Sequence, residues 1–125
     1  MTVAVAGDEV TVLADRGQLA RALRNVIANA IQHSPTGADV RVEVAAGPPA
    51  SLRVTDRGPG IAAEDAAYVF ERFYRADVSR GGSRPGSGIG LTVARELIGA
   101  NGGSIKVERT GPTGTTFLLT VPVAP

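Results

Sequence analysis

The sequence contains no cysteine, so disulfide bonds, thiolate metal sites and cysteine nucleophiles are excluded together. It also lacks an excess of charge, because 13 basic residues stand against 12 acidic ones and the formal net charge is +1. A net charge this small gives only a weak electrostatic field, which does not favour nucleic acid or an anionic membrane surface as a partner. No apolar run approaches the roughly 18 residues of a membrane helix, and no signal-peptide pattern opens the chain. We therefore expect a cytoplasmic protein, with any membrane anchor belonging to a longer parent chain.

What the sequence does contain fits one folded domain. Of its 125 residues, 43% are hydrophobic and 20% are charged, the balance of a globular protein. Glycine is abundant, with 16 residues, and most of the excess falls in residues 56–60 and 81–90. Glycine serves where the backbone turns sharply or approaches a ligand closely. No repeat or linker divides the chain, so we expect a single domain over residues 1–125.

The residue patterns predict an α+β protein. Short alternating runs predict three β-hairpins, built from residues 3–5 with 10–13, 40–44 with 52–56, and 104–108 with 115–121. Apolar residues at helical spacing predict three helices, over residues 16–33, 62–73 and 89–98. Asp15 is placed to cap the first helix, and the polar segment 77–87 predicts a mobile loop. We expect antiparallel strand pairs, with the helices layered on one face.

Four uncharged amides recur on the first predicted helix at spacings of three, four and seven residues: Gln18, Asn25, Asn29 and Gln32. Solvated helix faces usually carry Lys and Glu instead. Amide oxygens suit a hard cation such as Mg²⁺. The spacing leaves both a solvated face and a cation site open.

Asp56 follows a predicted strand and precedes Gly58 and Gly60. Asp and Gly are common in ordinary turns. In a binding site, however, the carboxylate would accept a hydrogen bond from an amino group, and the glycines would let a flat ring lie against the backbone. The segment alone does not decide between these readings.

Gly86, Gly88 and Gly90 alternate where the polar loop meets a predicted helix start. Backbone N–H groups and the helix dipole at such a start can hold a phosphate chain. The spacing is neither a dinucleotide fingerprint nor a Walker loop. A flexible loop remains the alternative.

His33 is the only histidine. It is followed by Ser and Pro, whereas phosphoacceptor histidines are followed by an acid and a short apolar, basic, Thr-Pro run. We therefore expect His33 to be structural or adjacent to substrate.

Taken in order, these segments resemble the GHKL superfamily of ATPases and kinases, and most closely the catalytic domains of sensor histidine kinases. Residues 25–34 resemble the N box, 56–60 the first glycine box, 69–75 the F box, 86–91 the second glycine box and 114–117 the threonine motif. The F box distinguishes histidine kinases from other members. The resemblance implies a Bergerat fold, an α+β two-layer sandwich with a mixed, mostly antiparallel sheet and helices on one face. ATP would lie between the first helix and the first glycine box, under a lid at residues 77–87.

The resemblance also implies roles for individual residues. Asp56 would receive the adenine amino group, Asn29 and Asn25 would hold Mg²⁺, and Arg84 would face the γ-phosphate, where charge stabilises the transferring group. The implied catalytic set is Asn25, Asn29 and Arg84. The implied nucleotide-binding set is Asn29, Gln32, His33, Asp56, Gly58, Gly60, Ile61, Phe70, Arg84, Gly86, Ser87, Gly88, Ile89, Gly90, Leu91 and Thr115. Phe70, with Phe73 and Tyr74, is expected chiefly to anchor the lid. Gln32 departs from the family pattern, because many members have a phosphate-contacting lysine there.

The implied function is transfer of the ATP γ-phosphate to a histidine on a separate dimerisation and phosphoacceptor domain of the same kinase, with a response regulator downstream. We expect the fragment to be monomeric and unable to phosphorylate itself. A hydrolase of the superfamily would need a glutamate at Asn25 to activate water. Anti-sigma serine kinases share the N and glycine boxes but do not generally show the F-box pattern. A degenerate nucleotide-binding or docking module is the third alternative, supported by Gln32.

Overall fold

The computed structural model describes residues 2–8, 10–35, 37–61, 70 and 87–123. Helices and strands in that part of the chain follow the order β1 (Thr2–Gly7), α1 (Arg16–His33), β2 (Asp39–Ala45), β3 (Ala50–Thr55), α2 (Ser87–Ala100), β4 (Ser104–Gly111) and β5 (Gly114–Val121). Two predictions lie outside the described residues: the helix over 62–73, except Phe70, and the loop over 77–87, except Ser87. No helix in the described ranges is long and apolar enough to cross a membrane.

Helix α1 begins and ends at the predicted residues. Asp15 caps it, because its Oδ1 accepts a hydrogen bond from the Gln18 N–H at 2.8 Å. This bond satisfies one of the N–H groups that every helix start leaves without an intrahelical partner. Ala22, Val26 and Ala30 are 0% exposed. Their spacing of four residues therefore forms the stripe that faces the core.

The strands form one sheet in the order β1-β2-β3-β5-β4. β1 runs parallel to β2, and the other neighbouring strands are antiparallel. The expected mixed, mostly antiparallel sheet is thus confirmed. Its register aligns Val42, Val54, Phe117 and Val107 across four strands, and the pleat places these side chains on one face.

Both helices cover that face of the sheet. The core cluster joins Val26 of α1 and Ile98 of α2 to Phe117 of β5, and all three are at most 1% exposed. On the opposite face, Arg41 of β2 and Lys106 of β4 are exposed. The two-layer arrangement with helices on one face is therefore confirmed.

The predicted N-terminal hairpin is wrong. β1 pairs with β2, and the segment expected as its partner contributes only an isolated bridge between Val12 and Val123. The turn-like Asp8 donates its N–H to the Val44 carbonyl at 2.9 Å, and its Oδ2 accepts from the Ala46 N–H at 3.1 Å. These bonds tie the end of β1 to the end of β2 instead of reversing the chain.

An ion pair crosses β5 on the exposed face of the sheet. Arg53 of β3 donates through Nε to Glu108 Oε1 at 2.8 Å and through Nη2 to Oε2 at 3.0 Å. Glu108 lies where the β4–β5 register shifts, between Val107 and Arg109. The hydrogen bond from Arg53 lowers the pKa of Glu108, and the reciprocal bond raises the pKa of Arg53. Exposed pairs of this kind contribute little to stability.

Candidate functional site

Asp56 lies directly after β3 and is 3% exposed. Its Oδ1 accepts hydrogen bonds from the Gly58 N–H at 2.9 Å and from the Thr115 N–H at 3.1 Å. Its own N–H donates to the Thr115 carbonyl at 2.9 Å. Because both side-chain bonds from described residues reach Oδ1, Oδ2 is left as an acceptor. Asp56 is therefore held in a fixed orientation and can receive an amino group from a ligand.

The first glycine segment packs against two other parts of the backbone. A Cβ at Gly58 would lie 2.3 Å from the His33 carbonyl oxygen, and a Cβ at Gly60 would lie 2.2 Å from the Gly111 carbonyl oxygen. Gly60 also has a φ of +87°, which disfavours any residue with a side chain. The glycines were predicted to admit a ligand ring. Their immediate contacts are with the end of α1 and with the β4–β5 hairpin.

Asn25 and Asn29 lie about one turn apart on α1. Asn29 is 7% exposed, and no other described residue supplies its side chain with a hydrogen-bond partner. Asn25 is half-buried, and a Cβ at Gly90 would lie 3.9 Å from its Cβ. Asn25 therefore adjoins the second glycine segment. Gln32 and His33, further along α1, are exposed.

The predicted amide stripe is not one site. Gln18 accepts a hydrogen bond through Oε1 from the Asn101 amide at 2.9 Å. Asn101 Oδ1 in turn accepts from the Asp15 N–H at 2.8 Å. Gln18 therefore fastens the start of α1 to the end of α2. Eleven residues separate it from Asn29, which is about 16 Å along a helix.

Helix α2 begins at Ser87, so Gly88, Ile89 and Gly90 fall in its first turn. This agrees with the prediction that the second glycine segment opens a helix. The first N–H groups of any helix lack intrahelical partners and attract anions. The Leu91 side chain is 6% exposed and belongs to the core. Arg84 and Gly86 lie outside the described residues.

Phe70 is an anchor between the core and α2. Its ring lies edge-on to Phe117, with centroids 6.0 Å apart, and its carbonyl accepts a hydrogen bond from the Thr92 hydroxyl at 2.6 Å. Sequence reasoning singled out Phe70 but not Thr92. These contacts join Phe70 to the core and to α2, while its expected roles as an anchor of the lid and as a nucleotide contact stay predictions.

Thr115 is 2% exposed and has a partner that sequence reasoning missed. Its Oγ1 lies 2.8 Å from the Oγ1 of Thr110, which also accepts a hydrogen bond from the Ile61 N–H at 2.7 Å. Thr110 and Thr115 are cross-strand neighbours in the β4–β5 hairpin. The sequence offered one indication of this pair, because the two threonines lie at equal distances from the predicted turn at residues 111–114.

The donor set at this site fits a magnesium ion shared with a ligand better than one held by protein alone. In the described ranges, no group of three or more His, Asp or Glu side chains could hold a metal ion. Asn25 and Asn29 offer amide oxygens, which Mg²⁺ accepts as ligands. Two amides leave most of an octahedral shell to phosphate oxygens and water, as is usual for Mg²⁺ bound with a nucleotide.

Comparison with known proteins places this geometry in a family. Residues 14–125 match the family model described as histidine kinase-, DNA gyrase B- and HSP90-like ATPase. The sensor-like histidine kinase SenX3 of Mycolicibacterium smegmatis is 41% identical over 115 residues, which cover 91% of this chain and 30% of that protein.

Two solved structures share the fold. The mycobacterial sensor histidine kinase MprB superimposes with a TM-score of 0.85 at 35% identity, over 99% of this chain and 84% of that one. Full-length ShkA, solved in complex with AMPPNP, gives a TM-score of 0.82 at 30% identity, over 98% of this chain and 26% of that one. The expected fold is confirmed by these neighbours.

The chain spans less than a third of SenX3, so it matches one part of a longer relative. That part carries the family model over nearly the whole of this chain. The chain therefore belongs to the histidine kinase-, DNA gyrase B- and HSP90-like ATPase family, and its predicted resemblance to the catalytic ATP-binding domain of sensor histidine kinases is confirmed.

Proposed function

We propose that this chain binds ATP with Mg²⁺ and transfers the γ-phosphate to a histidine on a separate dimerisation and phosphoacceptor domain, as a step of two-component signal transduction. The observation that carries the proposal is the orientation of Asp56 by the N–H groups of Gly58 and Thr115. These two hydrogen bonds orient the Asp56 carboxylate as an acceptor within the glycine segment at residues 56–60, and the same segment contacts the end of α1.

At the base end, the adenine amino group would donate to Asp56 Oδ2. A hydrogen bond to a buried carboxylate is stronger than one between neutral groups. The carboxylate is already oriented before the base arrives, so little reorganisation is needed on binding. A base with a carbonyl in place of the amino group would bring two acceptors together and be rejected.

At the phosphate end, the first turn of α2 would face the phosphates with its unpaired N–H groups and its positive dipole end. Asn29, buried and without a described partner, and Asn25 beside Gly90 would provide amide oxygens for Mg²⁺. When bound, Mg²⁺ neutralises charge on the phosphates. Arg84 would add a cation near the γ-phosphate, and Gln32 would donate a hydrogen bond where many family members have a charged lysine.

The chemical step is a displacement at phosphorus. The imidazole lone pair forms the nitrogen–phosphorus bond, the bond from the γ-phosphorus to the bridging oxygen breaks, and that oxygen leaves with ADP. The imidazole brings its own lone pair, so this chain needs no general base for the step. Its residues orient the nucleotide and exclude alternative geometries.

The residue at position 25 favours transfer over hydrolysis. Asn25 lies beside the start of α2, where a hydrolase of this superfamily would place a carboxylate to take a proton from water. An amide cannot take that proton. We therefore expect slow ATP turnover by the isolated chain.

Calorimetric titration with a nonhydrolysable ATP analogue tests the site. The parent chain should bind the analogue more tightly with Mg²⁺ than without it. Asp56→Asn should weaken binding at least about tenfold, because hydrogen bonds to charged groups contribute roughly 1.5–3 kcal/mol. Asp39→Asn, which removes the same charge from an exposed position on β2, is the matched control. An absence of binding, or equal losses in both variants, would contradict the proposal.

Phosphotransfer needs a second experiment. Incubated with γ-labelled ATP, the chain alone should stay unlabelled, and a purified histidine kinase phosphoacceptor domain should become labelled when both are present. A response regulator would then take the phosphoryl group onto an aspartate. This role implies a cytoplasmic location, where ATP and the regulator are found. Label on the isolated chain would count against it.

A further inference from the structure

Thr110 connects the residue after the first glycine segment to Thr115. Its Oγ1 accepts a hydrogen bond from the Ile61 N–H at 2.7 Å and lies 2.8 Å from Thr115 Oγ1. All of these groups are partly or fully buried. Thr110 is therefore the middle member of a chain of hydrogen bonds from the backbone of Ile61 to the hydroxyl of Thr115.

The geometry of the two hydroxyls allows either to be the donor. The Ile61 N–H biases that choice, because it already donates to Thr110 Oγ1. A hydroxyl that accepts one hydrogen bond is polarised to donate its own hydrogen more strongly. When Thr110 donates to Thr115, the hydrogen of the Thr115 hydroxyl is left to donate to a third group.

That third group would lie next to Asp56, because the Thr115 N–H donates to Asp56 Oδ1 at 3.1 Å. The site then presents a carboxylate acceptor beside a hydroxyl donor. Adenine presents the complementary pair on adjacent atoms: the amino group donates and N1 accepts. Hypoxanthine presents the reverse, because its O6 accepts and its N1–H donates.

We propose that Thr110 is a positioning residue that fixes the Thr115 hydroxyl as a donor toward N1 of adenine, directly or through one water. This inference rests on the proposed function, because it concerns the base of the same nucleotide. Without Thr110, the Thr115 hydroxyl rotates and can accept a hydrogen bond from N1–H. Selection of adenine over hypoxanthine would therefore weaken, although Asp56 is unchanged.

The test compares the affinities of ADP and IDP, measured by calorimetry on the parent, Thr110→Val and Thr110→Ser. The parent should prefer ADP. In Thr110→Val that preference should fall by about threefold to tenfold, the range of one neutral hydrogen bond. Thr110→Ser keeps a hydroxyl and should retain the parent's preference. The repulsion between Asp56 and O6 is common to all three proteins and cancels in the comparison.

A merely structural role would lower both affinities by the same factor and leave their ratio unchanged, which would overturn the proposal. Thr110→Ala serves if Thr110→Val does not fold, because the smaller side chain admits water to the Ile61 N–H. Faster hydrogen exchange of the Ile61 amide in either variant would confirm that the contact was lost. If the parent binds ADP without preferring it to IDP, the role of Thr110 fails together with the pairing of the adenine amino group with Asp56, while nucleotide binding itself stands. If the parent binds neither nucleotide, the proposed function fails as well.

Discussion

At the base end of the site, Asp56 makes three hydrogen bonds to the neighbouring backbone, whereas at the phosphate end no described residue supplies Asn29 with a partner. The base end is assembled by contacts within the protein, so its geometry exists before the ligand arrives. At the proposed phosphate end, the groups that a nucleotide and its cation would contact are the amides of Asn25 and Asn29 and the first N–H groups of α2. Under the proposed function, the base end is therefore preorganised by contacts within the protein.

The two ends also differ in how closely neighbouring atoms approach their glycines. At the base end, Gly58 lies so close to α1 that a Cβ would be 2.3 Å from the His33 carbonyl oxygen. At the phosphate end, a Cβ at Gly90 would meet Asn25 at 3.9 Å, an ordinary contact distance. Identical substitutions at these two glycines should therefore have opposite effects.

The largest effect is expected from Gly58→Ala. Relieving the contact with His33 requires the backbone of α1 or of the glycine segment to move, which should destabilise the fold by about 1–3 kcal/mol. The movement also displaces the N–H that orients Asp56, so nucleotide binding should be lost. Urea unfolding and calorimetric titration measure the two consequences.

Gly90→Ala is the matched control for that experiment. It lies in α2 with space for a methyl group, and replacing glycine within a helix stabilises by roughly 0.5–1 kcal/mol. Equal destabilisation by both substitutions would remove the distinction between a packed base end and an open phosphate end.

Local features of the fold were predictable from the sequence, and long-range ones were not. The bounds of α1 and its Asp15 cap follow from contacts within a few residues. β1 pairs with β2, which lies more than thirty residues further along the sequence. The short apolar run at residues 10–13, shortly after β1, suggested a hairpin, and that prediction was wrong. A chain chooses among possible strand partners by burial of the whole sheet, which a window of ten residues does not contain.

The site shows the same division between local features, which the sequence predicts, and long-range contacts, which it does not. The position of Asp56 at the end of a strand was predictable because it depends on residue types within a few positions, while its role toward a ligand stays a prediction. The contact of Gln18 with Asn101 was not predictable, because Gln18 belongs to the same helical stripe as Asn29 and its partner is 83 positions away. Thr110 was missed for the same reason: its partner Ile61 is 49 positions away.

A smaller effect, confined to the phosphate end, is expected from Asn29→Ala. Loss of one magnesium ligand should reduce Mg²⁺-assisted affinity for the ATP analogue by at least about tenfold. Affinity measured without Mg²⁺ should change much less, because the base contacts remain. Calorimetry with and without Mg²⁺ separates these two quantities.

Gln18→Ala is the control, since Gln18 shares the stripe but is bound to Asn101. It should lower the unfolding temperature slightly and leave the Mg²⁺ dependence intact. If Asn29→Ala weakened binding equally with and without Mg²⁺, the amide would belong to the general packing of the site and not to the cation.

The smallest effect should come from the Arg53–Glu108 pair, which lies on the exposed face away from both ends. Because Arg53 lowers the pKa of Glu108, the pair contributes stability that is fully present above the ordinary carboxyl value of 4.5 and is lost as the pH falls through the folded-state pKa. A double-mutant cycle with Arg53→Gln and Glu108→Gln, followed by thermal unfolding, should show a weak coupling near neutral pH that disappears in acid. Nucleotide affinity should not change in any of these variants. A coupling that persists in acid would rule out the titration of Glu108 as its cause, and altered nucleotide affinity would mean that the exposed face of the sheet influences the base end through β5.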